Sequence, residues 1–208
     1  MDDFSIFHGF SYEELADLSE CFCMEERNFT KGSVIVKYSA DNPETGIIKE
    51  GLAYLISIND SGEENILDYY EKGNLFSSRL SPGTDVNLYF VTAKTDCTVR
   101  FVNHDRIFAP CRYDTRKHLS WIHHILNSVS CRSQIHVDIL SQRTIRGKLM
   151  VYFSFLREKY HSSTFVLPVP LSDLAEYICT DRSAMMREIK KMNQEGLIVS
   201  KGRSVRLC

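Results

Sequence analysis

The segment Leu171–Ile198, with the sequence LSDLAEYICTDRSAMMREIKKMNQEGLI, constrains the fold of this chain more than any other stretch. Its apolar residues fall at helical spacing in two groups, namely Leu174, Ala175 and Ile178 followed by Met185, Ile189 and Met192. Only Cys179, Thr180 and Asp181 stand between the two predicted helices, so the joint is a tight turn, and the carboxylate of Asp181 is a suitable N-cap. The pattern predicts a helix-turn-helix whose second helix, Arg182–Asn193, enters the major groove of DNA.

The residues around this second helix are suited to DNA contacts. An arginine fork matches O6 and N7 of guanine, whereas lysine suits phosphate. After Gly196, the segment Leu197–Leu207 predicts a β-hairpin that turns at Lys201-Gly202-Arg203, which makes the unit a winged helix rather than a helical hairpin with a solvated basic face. We therefore expect DNA contacts from Thr180, Arg182, Ser183, Met186, Arg187, Lys190, Lys191, Lys201 and Arg203.

The string DLAEYICTDRSAMMREIKKMNQEGLI resembles the helix-turn-helix of the CRP/FNR transcription regulators nearly end to end. Upstream, TKGSVIV, IIKEGLAYLISINDSGEENIL, KGNLF and AKTDCTVRFV resemble the effector domain of that family. The resemblance implies a β-roll related to cyclic-nucleotide-binding domains, a homodimer on an inverted repeat of double-stranded DNA, and RNA polymerase as a partner. The chain departs from the family pattern at Ser183 and Met186, and at Cys179, which replaces the usual glycine and is strained if its φ is positive.

Charge is distributed unevenly along the chain. Residues 141–208 hold 12 Lys and Arg against 6 Asp and Glu, whereas residues 1–140 hold 13 against 21. A basic third beside an acidic body is typical of a DNA-binding domain attached to a control domain. No apolar run approaches the roughly 18–20 residues of a membrane span, and the acidic N-terminus is neither a signal nor a transit peptide. We expect no membrane contact and a cytoplasmic location.

The remaining patterns place three regions in an α+β fold. Many short strands between Phe29 and Val102, without helices between them, predict a double-stranded, jelly-roll-like β-roll in residues 1–112. A long helix is predicted for residues 113–140, and a winged helix-turn-helix for residues 141–208, with a hinge at Ser141–Thr144.

The long helix carries a candidate dimerisation seam. Leu119, Ile122, Leu126 and Val129 follow the 3-4-3 spacing of a coiled coil. Ile135 and Ile139 offer a shifted seam, which predicts a stutter near residue 131. The alternative is a helix that packs only on its own domain.

The effector is expected to be a small molecule other than cyclic AMP. In relatives that bind cyclic AMP, a Glu and an Arg-Ser pair hold the ribose and phosphate, and the matching positions here are Arg79, Asn87 and Leu88. Without these anchors a cyclic phosphate would lose hydration uncompensated. Arg79 would suit a carboxylate, phenolate or phosphate, unless it is simply a surface residue of its loop. The candidate effector-binding residues are Arg79, Asn87, Tyr89, Ser130 and Gln134, with Tyr69, Tyr70 and Phe90 as further candidates for an aromatic pocket.

Other chemistry is weakly supported. The seven cysteines form no CxxC pair, so no disulfide framework is predicted, and most are expected to be buried. Cys21 and Cys23 are too few for an iron–sulfur cluster, and adjacent His123 and His124 point in different directions on a helix. We expect no enzyme, no catalytic residues and no metal ligands, and the sequence names no cofactor. Two alternatives stay open: a redox or gas sensor (thiol, haem or metal) of the same fold, and a ligand-binding signalling module that does not bind DNA.

Overall fold

The computed structural model describes residues 11–38, 44–77, 88–102, 106 and 115–208. They form two compact units, of which the first ends at Val129 and the second begins at Ser130. This division falls inside the long helix, whereas the sequence placed domain boundaries at its two ends. Among the described residues, no helix is both long and apolar enough to cross a membrane.

The first unit opens with helix α1 (Tyr12–Cys21), whose start is fixed by a capping box. The Oγ of Ser11 accepts a hydrogen bond from the backbone N–H of Glu14 at 3.3 Å, and the Glu14 carboxylate accepts from the N–H of Ser11 at 2.7 Å. These two bonds satisfy donors that the first helical turn leaves without partners. A serine followed three residues later by a glutamate is the sequence signature of this cap.

Eight strands follow α1 in the described part of the first unit, namely β1 (Glu25–Phe29), β2 (Val34–Lys37), β3 (Thr45–Glu50), β4 (Ala53–Ile58), β5 (Glu64–Tyr70), β6 (Leu75–Ser77), β7 (Leu88–Ala93) and β8 (Cys97–Val102). They form two four-stranded antiparallel sheets, in the orders β1-β8-β3-β6 and β2-β7-β4-β5. Inward side chains of both sheets, including Ile48, Val91 and Val99, fill one buried core. The predicted double-sheet β-roll is confirmed.

Two turns of the roll follow directly from their residues. Gly51 joins β3 to β4 with φ of +95°, and a Cβ at this position would collide with the carbonyl oxygen of Asp96. Only glycine fits such a position. In the β4–β5 hairpin, Oδ1 of Asn59 accepts hydrogen bonds from the backbone N–H groups of Ser61 and Glu63 at 3.1 and 2.9 Å. Glycine and asparagine are residue types that favour turns, for these two physical reasons.

Helix α2 (Thr115–Ser141) begins in the first unit and packs there against the outside of the roll. Trp121 is fully buried in a cluster with Phe22, Ile47, Leu75 and Val102. Ile125 and Val129, which lie further along α2, pack against the same cluster. This apolar contact fixes the start of α2 on the roll.

The second unit contains three further helices and a three-stranded sheet. The elements are α3 (Ile145–Tyr160), β9 (Thr164–Val166), α4 (Leu171–Tyr177), α5 (Arg182–Gln194), β10 (Ile198–Lys201) and β11 (Ser204–Leu207). The sheet order is β10-β11-β9 and all pairs are antiparallel. Thr144 caps α3 by accepting a hydrogen bond from the N–H of Gly147 at 3.0 Å. The predicted winged helix-turn-helix is confirmed, and β9 adds a third strand that the sequence did not assign to the wing sheet.

Candidate nucleic-acid interface

The turn between α4 and α5 places the second helix of the motif. Cys179 has φ of +50°, the left-handed conformation in which glycine is usual, so the strain foreseen for this position is present. The turn closes through a hydrogen bond from the N–H of Thr180 to the carbonyl of Ala175 at 2.9 Å. The ammonium of Lys148 on α3 donates to the carbonyl oxygens of Ile178 and Cys179 at 2.7 and 3.1 Å. A cation at this point satisfies carbonyls that the end of α4 leaves open.

Helix α5 has one buried face and one exposed face. Asp181 is its N-cap, because its Oδ1 accepts a hydrogen bond from the N–H of Ala184 at 2.8 Å. Met185, Ile189 and Met192 are buried, as their spacing predicted. The helix is therefore held by its apolar face, and its other side is open to a partner.

The exposed side of α5 carries most of the predicted DNA-contacting residues. Arg182, Ser183, Met186, Arg187, Lys190 and Lys191 are all exposed, and Thr180 in the preceding turn is half-buried. Within the described part of the chain, Arg182, Arg187 and Lys190 form no ion pair. Their charges are available to an external anion.

Arg146 on α3 pairs with two carboxylates of the second helix, namely Glu188 within α5 and Glu195 at its C-cap. Arg146 on α3 donates from Nε to Glu188 at 2.6 Å, and from Nη1 and Nη2 to the carboxylate of Glu195 at 2.6 and 3.0 Å. These bonds hold the pKa of Glu195 below its ordinary value and raise the pKa of Arg146. Because both carboxylates face α3, they do not oppose the positive charge of the exposed side.

The side chain of Asn193 links α5 to the wing. Asn193 donates from Nδ2 to the carbonyl of Ile189 at 2.8 Å and to Oγ of Ser200 at 2.7 Å. Its Oδ1 accepts from the backbone N–H of Ser200 at 2.7 Å. Beside this amide, a cleft of about 290 Å³ separates α5 from the wing and is lined mostly by apolar residues, including Phe153, Leu167 and Val205.

The tip of the wing presents two more cations. Lys201 and Arg203 are exposed on either side of Gly202, whose φ is +59°. The carbonyl of Arg203 accepts a hydrogen bond from the N–H of Leu167 at 2.8 Å, so the tip is fixed from the β9 side as well. Neither cation forms an ion pair with a described residue. The second unit thus brings the basic residues of α5 and of the wing together on one domain.

The candidate dimer residues differ in their exposure. Leu119 and Leu126 are 58% and 60% exposed, whereas Ile122 and Val129 are half-buried, and Val129 packs against the Trp121 cluster. Spacing from Leu119 and Leu126 defines an exposed stripe of α2 made of Leu119, His123, Leu126, Ser130, Ser133, Val137 and Leu140. Ile139 is fully buried, so the shifted seam that would use it is wrong.

The described part of the chain does not test the candidate effector residues as a group. Arg79 and Asn87 lie outside the described residues. Tyr89 is half-buried on β7, and Ser130 and Gln134 are exposed on α2, where Nε2 of Gln134 donates to Asp138 at 2.8 Å. These positions stay predictions.

The strand geometry excludes a single pocket lined by all four aromatic residues named from the sequence. Tyr69 and Tyr70 are neighbours on β5, and Tyr89 and Phe90 are neighbours on β7, so each pair points to opposite faces of its sheet. Tyr70 lies in the core with its ring 5.6 Å from that of Phe76. Four aromatic side chains from these positions cannot line one pocket.

The cysteines correct another expectation. Among those that the structure describes, Cys97 is buried, Cys21 is half-buried, and Cys23, Cys131, Cys179 and Cys208 are exposed. Burial raises the pKa of the Cys97 thiol. Within the described ranges, no three His, Cys, Asp or Glu side chains are grouped so that they could hold a metal ion.

Three residues that hold α5, the preceding turn and the wing in place could not be identified from the sequence. Arg146, Lys148 and Asn193 act on partners that are 42, 30 and 7 residues away, respectively. No local spacing marks such contacts, because each depends on how α3, α5 and the wing pack together.

Comparison with solved structures identifies the fold. CprK in complex with OCPA has 16% sequence identity, covers 98% of this chain and 90% of its own, and has a TM-score of 0.69. A Listeria monocytogenes protein that contains a cyclic nucleotide-binding domain has 14% identity, coverage of 93% and 97%, and a TM-score of 0.71. A Eubacterium rectale protein assigned to the CRP/FNR regulators has 11% identity, coverage of 100% and 94%, and a TM-score of 0.56. No protein-family model and no curated protein matches the sequence. The chain has the fold of the CRP/FNR regulators over nearly its whole length.

Proposed function

We propose that this chain is a DNA-binding transcription regulator of the CRP/FNR type that binds an inverted-repeat operator as a homodimer and recruits or blocks RNA polymerase. The observation that carries the proposal is the set of exposed cations on α5 and the wing that have no ion pair within the described residues. A protein surface of this kind binds DNA mainly through phosphate, with salt-dependent affinity.

Arg187 is the principal reader of sequence in this proposal. It is exposed in the N-terminal half of α5, and the N-terminal residues of a recognition helix contact base edges in the major groove. Arg182 stands at the start of the helix and lies about 140° around it from Arg187, so it meets the groove at its wall. Ser183 replaces an acidic residue that would accept from cytosine, and exposed Met186 suits a thymine methyl group.

The other cations hold the DNA backbone. Lys190 and Lys191 lie further along α5, and Lys201 and Arg203 lie at the tip of the wing. Contacts of these residues with phosphate carry charge but no sequence information. The hydroxyl of Thr180, in the turn before α5, adds a hydrogen bond to phosphate.

In this proposal, α2 forms the dimer interface and the β-roll binds the effector that controls DNA binding. The exposed apolar side chains Leu119 and Leu126 on α2 pair with those of a second copy, and Ile122 and Val129 flank the seam. A small-molecule effector in the roll changes the position of α2 and of the Ser141–Thr144 connection, and so resets the spacing of the two reading helices. The effector is not cyclic AMP, and Arg79, Asn87, Tyr89, Ser130 and Gln134 are its candidate contacts. Calorimetry with millimolar cyclic AMP should show no saturable heat.

Binding selection from a random DNA library tests the DNA readout. Arg187→Ala should lose about 1–3 kcal/mol per half-site and relax the preference at one base pair. Lys201→Ala should weaken all sequences alike and flatten the salt dependence by about one unit of slope. Arg157→Ala is the matched control, because Arg157 is exposed at the end of α3 and has no role in the proposed surface.

Two results would contradict the assignment. Uniform loss with Arg187→Ala together with a changed base preference with Lys201→Ala would reverse the proposed roles. Selection that enriches no sequence with the wild-type dimer would support the signalling module that does not bind DNA.

A further inference from the structure

A thiol and an imidazole lie together in the first unit. Cys21 is the last residue of α1, and its Sγ is 3.7 Å from Nδ1 of His118 on α2. His118 is buried, whereas Cys21 is half-buried, so the sulfur keeps some access to solvent. A nucleophile within reach of a base is the arrangement by which proteins make a cysteine reactive.

The imidazole is held by packing. The ring of His118 lies 4.7 Å from that of Phe22, and the ring of Phe22 lies 4.3 Å from that of Trp121. Phe22 and Trp121 are fully buried. The histidine is therefore positioned by the same apolar cluster that fixes the start of α2 on the roll.

A second thiol stands two residues further along the chain. Cys23 is exposed and has φ of +46°, at the point where α1 is closed by a hydrogen bond from the N–H of Met24 to the carbonyl of Ser19 at 2.9 Å. This is the helix-end position at which glycine is common.

The buried cysteine of the roll offers a contrast. The sulfur of Cys97 lies 3.2 and 3.3 Å from the carbonyl oxygens of Leu52 and Thr95, and burial raises the pKa of this thiol. Burial and the raised pKa both disfavour the thiolate of Cys97, which is the reactive form of a cysteine. Within the described residues, the exposed Cys131 has no histidine in hydrogen-bond contact, so it serves as an internal reference.

We propose that Cys21 is a redox-active thiol that reacts with hydroperoxides, with His118 as its proton acceptor and Cys23 as the resolving thiol. The Cys21 sulfur attacks one peroxide oxygen, so that an S–O bond forms and the O–O bond breaks. His118 takes the thiol proton and returns it to the departing oxygen, which leaves as water or alcohol. The sulfur of Cys23 then attacks that of Cys21, an S–S bond forms, and the sulfenic oxygen leaves as a second water. The two thiols lose two electrons in total and the peroxide gains them, and a dithiol reverses the change.

The regulatory consequence rests on the proposed function. A disulfide between Cys21 and Cys23 removes the thiol–imidazole contact and distorts the end of α1, where it packs against the start of α2. Because α2 carries the proposed dimer seam, the oxidised protein binds its operator more weakly than the reduced protein.

Peptide mass spectrometry on the full-length protein tests the chemistry without any DNA. Reduced protein is treated with equimolar hydrogen peroxide, and samples are quenched with an alkylating reagent at successive times. Cys21 should be oxidised about tenfold or more faster than Cys131 in the same molecules, because only Cys21 has a base beside it. With Cys23→Ser, Cys21 should accumulate as sulfenic acid that dimedone traps. Equal rates at Cys21 and Cys131, or the same dimedone yield with and without Cys23, would overturn the proposal.

The role of His118 is tested by chemical rescue. His118→Ala should slow the oxidation of Cys21 to the rate of Cys131, and free imidazole in the buffer should restore part of the loss at Cys21 alone. A purely structural histidine would give no rescue. If this variant does not fold, the comparison of Cys21 with Cys131 in the wild-type protein still decides the main point.

Operator affinity before and after peroxide separates the two proposals. Weaker binding after oxidation, reversed by dithiothreitol and absent in Cys21→Ser, supports the switch. Unchanged affinity with a fully formed disulfide refutes the switch and leaves DNA binding intact. Absence of DNA binding in the reduced protein refutes the proposed function, whereas the rates at Cys21 and Cys131 still judge the thiol chemistry.

Discussion

Replacing Asn193 by alanine should uncouple the wing from the reading helix. The side-chain amide makes three hydrogen bonds, to the carbonyl of Ile189 and to the hydroxyl and backbone N–H of Ser200. A cleft of about 290 Å³ lies beside this amide, between α5 and the wing. The variant therefore tests whether this amide sets the position of the wing.

The expected cost follows from those three bonds. A typical intramolecular hydrogen bond contributes about 1 kcal/mol net, and an unsatisfied buried donor costs about 1–3 kcal/mol. The Asn193 contacts are only partly buried, so water will replace some of them. We expect a loss of about 2 kcal/mol in the free energy of unfolding of the second unit. For a unit of this size, that is a fall of about 8–16 °C in its melting temperature.

The assay combines thermal unfolding followed by circular dichroism with DNA binding at several salt concentrations. Besides the lower melting temperature, the salt slope should fall by about two units, because Lys201 and Arg203 lose their fixed place against phosphate. Gln194→Ala, at the exposed neighbouring position of the same helix, is the control and should change neither quantity. A destabilised variant with an unchanged salt slope would show that the wing is positioned by other contacts, and an unchanged melting temperature would refute the assigned hydrogen-bond energies.

Three further predictions follow from the same structure. Cys179→Gly should stabilise the second unit by roughly 0.5–1 kcal/mol. The left-handed conformation costs a non-glycine residue about 1–2 kcal/mol, and the greater freedom of glycine in the unfolded chain offsets part of the gain. Calorimetry should show no such gain with the control variant Cys179→Ser. Because Arg146 holds the pKa of Glu195 below its ordinary value in the folded state, their pairing stabilises the fold fully above the ordinary pKa of a glutamate. This stabilisation is lost as the pH falls through the lowered pKa. Urea titrations should therefore show that Glu195→Gln lowers stability near neutral pH but not in strong acid. Leu126→Lys should reduce the mass seen by light scattering from twice 24.0 kDa to the single chain, whereas Cys131→Lys, outside the exposed stripe, should leave a dimer.

Much of the fold could be predicted because the periodicity of apolar residues and the positions of capping and turn residues agree with the observed helices and strands. The start of α3 agrees with the predicted hinge Ser141–Thr144, since its period of apolar residues begins directly after the cap Thr144. The strand β1 was missed because its sequence EERNF is charged and alternation gives it no apolar face. It is held instead by pairing with β8 and by the guanidinium of Arg27, which lies 4.3 Å from the ring centroid of Phe101. That contact depends on a strand more than seventy residues away.

The candidate DNA-binding residues could be predicted from the sequence, whereas the residues that hold α5 and the wing in place could not. Helical spacing separates buried Met185 and Ile189 from exposed Arg187, so the outer face of α5 could be predicted. Arg146 and Asn193 have no distinctive spacing, and their roles appear only when the helices and the wing have packed. The expectation of mostly buried cysteines failed because two of them, Cys23 and Cys179, occupy left-handed helix ends at the surface.

The position of Trp121 makes the two units optically distinct. It is the single tryptophan of the chain, and it is fully buried in the apolar cluster of the first unit. Excitation at the red edge of protein absorption therefore reports only on the roll and the start of α2, whereas the second unit contributes only tyrosines such as Tyr152 and Tyr177 to near-ultraviolet emission. The intrinsic emission of Trp121 is thus a label-free reporter of changes in the first unit. Quenching or a spectral shift on adding a candidate effector or an oxidant can be read while DNA is bound, without attaching a dye.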